Sequence, residues 1–373
     1  MMNVTEESRM KRIVNVVGAR PNFMKIAPIQ RVMRQFPNEI EPLLLHTGQH
    51  YDERMSKFFF EDLQLPQPDI YLGVGSGSHA EQTAKIMVDF EKVCLEHKPD
   101  MVLVVGDVNS TVACSLVASK LWIPVVHVEA GLRSFDRRMP EELNRLVTDT
   151  LSDHLFVTEK SGMENLAREG VDPAKVHFVG NVMIDSLAYF LEKAAQSPIL
   201  QQLELTQRNY VLVTLHRPSN VDDPENFLKI ISAFERIPKD TPIVFPIHPR
   251  TEKNIKAFGL EERVRALSNL KLLSPVGYLD FMQLTQNCKF VMTDSGGIQE
   301  ETTYLGIPCI TLRENTERPS TVEVGTNEIV GTDLDKIIPL IDRLFAGQWK
   351  QGAIPEKWDG RAAERIVEVL RRV

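Results

Sequence analysis

The chain has 373 residues, 43% of them hydrophobic and 25% charged, with a formal net charge of −8. That length predicts two domains of ordinary size, and the acidic balance excludes a dedicated nucleic-acid binder or a basic membrane-surface protein. Four scattered cysteines (Cys94, Cys114, Cys288, Cys309) form no CxxC and no Cys/His pair at metal spacing. They read as buried thiols in a reducing compartment, and no metal is expected. The apolar run over residues 13–19 is too short for a signal peptide, and no run approaches the roughly 18 apolar residues of a membrane span. A cytoplasmic location is expected.

After a polar tail over residues 1–10, a strand over 13–17 leads through Gly18-Ala19-Arg20-Pro21-Asn22 into an amphipathic stretch ending at Met33. Residues 42–47 predict a second strand, ending in Gly48-Gln49-His50-Tyr51-Asp52, and a flexible loop over 73–78 feeds a helix over 79–97. The apolar strand 101–105 ends in Gly106-Asp107. The strand 124–128 carries Glu129 at its carboxyl end, followed by Arg133, a charged loop and a helix opening Pro140-Glu141-Glu142. Strands follow at 155–158 and 176–179. Beyond a polar, weakly periodic stretch over 192–209 the pattern restarts, with strands at 210–214, 242–246, 271–273, 290–293 and 308–312 and another near Ile329. A charged amphipathic helix closes the chain. Strands alternating with helices predict the α/β class, with doubly wound parallel sheets in two domains, 1–180 and 181–360. A cleft between them is a favoured place for a ligand.

Ligands of such sheets bind just outside the carboxyl ends of the strands. Glu129 would stand there as an acid/base carboxylate, and Asp107 reads as a second one or as a loop cap. Proline followed by two acids is also ordinary helix-start electrostatics, so Glu141 and Glu142 have a structural reading, and Glu141 is spaced i,i+4 from Arg145. In Thr293-Asp294-Ser295-Gly296-Gly297 a strand ends and a helix begins. Ser295 is a candidate N-cap, and the free N–H groups of the first turn make an anion site or simply a capped, tight turn. Glu301, one turn on, could accept sugar hydroxyls. Arg20 and Lys25 are suitable residue types for phosphate oxygens, although GxGxxG is absent. His216 either donates to a pyrophosphate or bonds its own loop. His248 takes the analogous place one strand later, and Arg318 adds a guanidinium. His46, His79, His97, His154 and His177 are unclustered.

In that order, GARPNFMKIAPI, TGQHYD, GDVNST, HVEAGLRSFDRRMPEELNR, TLHRP, TDSGGIQEE and TERPS resemble the non-hydrolysing UDP-N-acetylglucosamine 2-epimerases, from about residue 12 to the last helix. The resemblance implies a GT-B fold of two Rossmann-like domains with the nucleotide sugar in the cleft, the helix 361–373 packing back on domain 1–180 and domain 181–360 binding UDP. It implies reversible inversion at carbon 2 of a UDP-N-acetylhexosamine without NAD or metal, by elimination of UDP to a glycal and re-addition. It makes Asp107, Glu129 and Glu141 the acid/base carboxylates. His216 and the Ser295-Gly296-Gly297 turn bind phosphates, with Arg20, Lys25 and Arg318 adding charge. Glu301 holds the ribose hydroxyls, and Phe281, in the loop 278–281, contacts uracil.

Some bacterial members bind a second substrate molecule as activator, and Gln49, Arg217 and His248 match residues used there. A homodimer and a part in surface polysaccharide synthesis are also implied. The sequence departs from the family pattern at Gly18-Ala19-Arg20, where GTR is common, and at Val108-Asn109-Ser110-Thr111, where TTT or TNT is common. Its loop GVGSGSHAEQT has no arginine where allosteric members are basic. Relatives with HVEAGLRSFDRRMPEE include enzymes acting on UDP-2,3-diacetamido-glucuronic acid, and a hydrolysing branch releases N-acetylmannosamine and UDP. A nucleotide-sugar sensor without activity is the reading from another class.

Overall fold

The computed structural model describes residues 10–49 and 67–373; His50, Tyr51 and Asp52 of the TGQHYD motif and the side chain of Arg20 lie outside the described residues. The chain divides into two compact units, Met1–Ser186 with Glu356–Val373, and Leu187–Pro355.

Among the described residues the first unit has seven parallel strands: β1 (Lys11–Val17), β2 (Ile40–His46), β3 (Ile70–Tyr71), β4 (Met101–Val105), β5 (Val125–Ala130), β6 (His154–Val157) and β7 (Val176–Phe178). They lie in the order β3-β2-β1-β4-β5-β6-β7. Every residue of β4 and β5 is buried, because helices cover both faces of a parallel sheet and leave no polar side to alternate with. Strand bounds fall within two residues of those expected. The two-residue β3 was too short to show a pattern.

The helix His79–His97 starts at a capping box, with Ser78 Oγ accepting from Glu81 N at 3.2 Å and Glu81 accepting from Ser78 N at 3.0 Å. It turns Ile86, Phe90, Val93 and Cys94 inward. The helix Asn109–Lys120 packs beside it and beside the helix Pro140–Leu151; its buried Ala113, Cys114, Ser115 and Ala118 keep that middle helix slim. The four cysteines are all free and buried.

The polar stretch 192–209 is more regular than its composition suggests, since the helix Val182–Ala194 runs into it and the short helix Ile199–Gln202 follows. The last helix, Ala362–Arg372, belongs to the first unit and buries Ala362, Ala363, Ile366, Val367 and Leu370 in helical spacing against the helix Arg20–Met33. Its first N–H groups donate to Asp185, Ala362 N at 3.1 Å and Ala363 N at 2.7 Å. Just before it, Trp358 is 1% exposed and donates its indole N–H to the Thr158 carbonyl at 3.0 Å.

The second unit repeats the plan among the described residues with β8 (Val211–Thr214), β9 (Ile243–Pro246), β10 (Leu270–Leu273), β11 (Phe290–Thr293), β12 (Cys309–Thr311) and β13 (Asn327–Ile329), in the order β10-β9-β8-β11-β12-β13. Its main core gathers Phe227, Ile230, Phe234, Phe245, Phe290, Ile337 and Ile341. Each sheet reverses strand order at one point, β1/β4 in the first unit and β8/β11 in the second, and such a switch point is where a doubly wound sheet opens a crevice.

The Trp358 indole anchors the returning segment, so Trp358→Ala should cost the first unit about 3–5 kcal/mol. Urea unfolding read by circular dichroism measures this. A change below about 1 kcal/mol would contradict the anchoring role.

Candidate active site

In the first unit, parallel register assembles the site. Val105 pairs with Val128, so the next residues on the two strands, Gly106 and Glu129, come side by side. The pairing of β5 with β6 slips between Val128 and Ala130, and Glu129 takes a φ of +72°. A bulge re-aims the side chain it carries, and a left-handed φ in a residue other than glycine is held only where surroundings impose it. Here the carboxylate is aimed at Lys25: Glu129 Oε2 lies 2.5 Å from Lys25 Nζ, with both residues buried. Gly106, at φ +66°, leaves the room for this pair, since a Cβ there would stand 3.1 Å from Lys25 Nζ and 3.8 Å from Glu129 Oε2. Asn22 orders the preceding loop, accepting from Gly18 N and Ala19 N and donating to the Val105 carbonyl.

Asp107, next along the chain, pairs with Arg145. Arg145 therefore does not pair with Glu141, as the i,i+4 spacing suggested. It points inward, holding Glu142 Oε2 at 2.7 Å as well as Asp107. Glu142 also accepts from Ser134 N, Ser134 Oγ and Phe135 N at 2.9–3.0 Å. Burial works to raise its pKa, but the Ser134 N–H and Arg145 outweigh that and hold it below the ordinary value. Glu141 stays half-buried on the outer side of the turn, and with Asp107 it lines a cavity of about 230 Å³.

Gln49, Gln82, His79, Asn109 and Asn144 complete much of the wall. Gln49 Oε1 accepts from Ser110 Oγ at 2.7 Å, Asn109 Nδ2 donates to Gln82 Oε1 at 2.8 Å, and His79 meets Asn109 at 3.1 Å. His79, read as unclustered, therefore faces this cavity, and Asn109, in the stretch that departs from the family pattern, lines it with Ser110 behind Gln49.

The second unit uses the same geometry. Thr214 pairs with Thr293, so the segments that follow meet across the switch point. Asp294, fully buried, takes His216 Nδ1 at 2.9 Å and the N–H groups of His216 and Arg217. Burial pushes its pKa up, and the His216 contact and these N–H groups more than offset the push. Arg217 Nε donates to the Asp294 carbonyl. The His216 ring is thereby fixed by Nδ1 while its side chain remains 53% exposed. Ser295 is the N-cap of the helix Gly296–Leu305 by position but makes no side-chain cap bond; its own N–H donates to Thr293 Oγ1.

Arg318 Nε is turned onto Glu300 at 2.6 Å. Glu301 is buried, and its pKa is pushed up to about 8 by burial, with the Glu300 charge adding to it. Phe281 lies in the helix Tyr278–Asn287, not in a loop, because Gly277 caps the helix before Tyr278; it packs on the apolar cluster around Tyr210 and Leu284. His248 caps the helix Pro249–Ala257, accepting from Arg250 N. Arg313 was missed by sequence reasoning: it follows β12 and brings a buried guanidinium to the helix start, Nη1 lying 3.8 Å from where a Gly296 Cβ would be and Nη2 2.8 Å from Glu317. The signal available was a basic residue one step past a strand end.

Among the described residues no group of three or more His, Cys, Asp or Glu is arranged to hold a metal ion, and no helix is long and apolar enough to cross a membrane.

Known proteins resemble this chain over nearly its whole length. A family profile described as UDP-N-acetylglucosamine 2-epimerase matches residues 34–371. The UDP-N-acetylglucosamine 2-epimerase of Methanocaldococcus jannaschii is 44% identical over 362 residues, covering 95% of this chain and 97% of the relative. A UDP-2,3-diacetamido-2,3-dideoxy-D-glucuronate 2-epimerase of Pseudomonas aeruginosa is 40% identical over 365 residues, covering 97% and 100%. The crystal structure of the M. jannaschii enzyme with UDP-GlcNAc and UDP superposes with a TM-score of 0.87 over 97% of this chain and 100% of that one. That of the Neisseria meningitidis enzyme bound to UDP-GlcNAc, 32% identical, also gives 0.87, with the same coverage. A profile match over most of the length, and relatives this similar end to end, show that the chain belongs to the UDP-N-acetylglucosamine 2-epimerase family and has its GT-B fold.

Proposed function

We propose that this chain interconverts UDP-N-acetylglucosamine and UDP-N-acetylmannosamine by eliminating UDP and adding it back. The observation that supports the reading is that Asp107 and Glu141 line one cavity while Glu129 stands beside Gly106, the residue before Asp107, at the carboxyl ends of β4 and β5. The carbon 2 proton is weakly acidic, so its removal needs a placed base and a stabilised leaving group. One carboxylate takes that proton. The electron pair forms the carbon 1–carbon 2 double bond, and the bond from carbon 1 to the diphosphate oxygen breaks with its electrons leaving on UDP. In the return step the diphosphate oxygen bonds carbon 1 again while a second carboxylic acid delivers a proton to the opposite face of carbon 2.

The first unit supplies these acid/base groups with Lys25 and Arg145 against them. The second supplies the anion-binding parts: the first turn of Gly296–Leu305, the ring of His216 and the buried edge of Arg313. Glu301 is the acceptor for ribose hydroxyls, and Arg20 and Arg318 add positive charge. Gln49, on the cavity wall, and Arg217 and His248 are the positions for a second, activating substrate molecule. We place the activity in surface polysaccharide precursor synthesis, in a cytoplasmic homodimer.

A second substrate is supported by the 40% identity to the P. aeruginosa diacetamido-glucuronate epimerase. Incubation with UDP-GlcNAc in deuterated water, followed by proton NMR, tests the reading. UDP-ManNAc with deuterium at carbon 2 and little free UDP is expected. Stoichiometric UDP release would mark hydrolysis, and no change would point to the diacetamido substrate or to a sensor.

Glu129→Gln and Asp107→Asn should each lose roughly 10²–10⁴-fold in turnover while still binding UDP by calorimetry. Near-normal turnover in either sinks its acid/base role. For Glu301, the folded state keeps a proton that the unfolded chain has released, over the window from its ordinary 4.5 up to about 8. Stability therefore falls as pH rises through that window. Glu301→Gln removes the fall, so its Tm relative to wild type should be several degrees more favourable at about pH 9 than at about pH 4. A Tm difference that ignores pH contradicts the buried carboxyl. Glu301→Ala should weaken UDP binding by roughly tenfold or more; unchanged affinity removes the ribose role.

A further inference from the structure

His127 lies inside β5, fully buried, with both ring nitrogens engaged. Nε2 is 2.9 Å from the Gly106 carbonyl oxygen, and Nδ1 is 2.6 Å from Asp149 Oδ1. A carbonyl oxygen only accepts, so Nε2 carries a hydrogen. The other Asp149 oxygen takes the Gly131 N–H at 3.0 Å and Arg133 Nη2 at 2.6 Å, and Arg133 is held in turn by Glu169. One His–Asp pair thus grips two backbone points. Gly106 immediately precedes Asp107, and Gly131 is two residues after Glu129. Between and at these points the backbone is unusual: Gly106, Glu129 and Gly131 have φ of +66°, +72° and +76°.

An apolar side chain in the middle of a buried strand would avoid the cost of burying this pair. What an apolar side chain lacks is direction: the Nε2 bond ends on the Gly106 turn, and the Nδ1 bond reaches the Gly131 turn through Asp149. We propose that His127 and Asp149 are positioning residues, a buried latch joining the Gly106 and Gly131 turns and so setting Asp107 and Glu129 relative to one another. The functional part of this rests on the epimerase reading above.

Two variants separate the bonds. His127→Asn puts an amide nitrogen near the place of Nδ1, keeping the bond to Asp149 and losing the one to Gly106. Asp149→Asn keeps both, because its amide donates to a neutral ring protonated on Nε2 while its oxygen still accepts from Gly131. His127→Asn should lower kcat for UDP-GlcNAc by roughly 100-fold or more with KM within about threefold, since small misplacements cost about that much. Asp149→Asn should stay within about tenfold of wild type.

Amide hydrogen exchange without ligand, read by mass spectrometry, should show faster exchange over residues 106–108 and 129–132 in His127→Asn only. A folded His127→Asn with near-normal kcat and protection overturns the latch, as does an Asp149→Asn that fails as deeply. Should His127→Asn not fold, Asp149→Asn decides alone: wild-type-like turnover and protection support the latch, and loss of both overturns it. A wild-type chain inactive on UDP-GlcNAc counts against the proposed function, and the exchange arm still decides the latch.

Discussion

Between residues 127 and 149 the chain buries six ionisable side chains, His127, Glu129, Arg133, Glu142, Arg145 and Asp149, none more than 3% exposed. A charge taken out of water costs several kcal/mol unless a partner and hydrogen bonds offset it. This segment is therefore possible only as a set of matched contacts: Lys25 on Glu129, Arg133 and His127 on Asp149, Arg145 on Glu142 and Asp107. Removing one member strands another, so the cluster behaves as a unit. Hydrophobic burial elsewhere in the sheet is forgiving of small shifts; ion pairs with hydrogen-bond geometry are not. The rigidity they impose is what allows Glu129 to remain at a backbone conformation its side chain does not favour.

The second unit solves a related problem with fewer charges. Asp294 is buried in full and collects two backbone N–H groups, His216 and the Asn220 amide. It ties the β8 and β11 ends together, and the ring of His216 comes out fixed in orientation and open to solvent. Glu301 is the contrasting case. Burial without a cation of its own pushes its pKa to about 8, while its neighbour Glu300 has Arg318.

Much of this could be read from the residues. Apolar runs such as Met101–Val105 could belong to little but buried strands, and their spacing with helices led to two parallel sheets. The strand-end rule picked out Asp107, Glu129, His216 and the Ser295 turn. What stayed hidden was partner choice. Spacing of i,i+4 linked Arg145 to Glu141, but a helix start can bury only one side of itself, and the buried side carries Glu142 and Arg145. Lys25 and Arg318 were read by residue type as phosphate ligands. Their contacts to Glu129 and Glu300 come from opposing strands and helices, which a one-dimensional pattern does not pair. His127 and Asp149 stand 22 residues apart, and nothing local marks them as bonded.

A rule of parallel sheets accounts for how these sites form at all. When two adjacent strands run in the same direction and end in register, the residues just past their last pairing are forced together, held to the sheet by one last backbone rung, Gly106 N–H to the Val128 carbonyl and Asp294 N–H to the Thr214 carbonyl. Val105 opposite Val128 delivers Gly106 to Glu129; Thr293 opposite Thr214 delivers Asp294 to His216. Their polar groups must bond to one another, to a helix start or to a ligand, since buried groups left unpaired are costly. The strand-end residues are therefore the places where this fold can hold charge in defined positions without breaking a sheet. A change of register by one residue would move Glu129 away from Lys25 and Gly106, and His216 away from Asp294, while leaving both apolar cores almost as well filled.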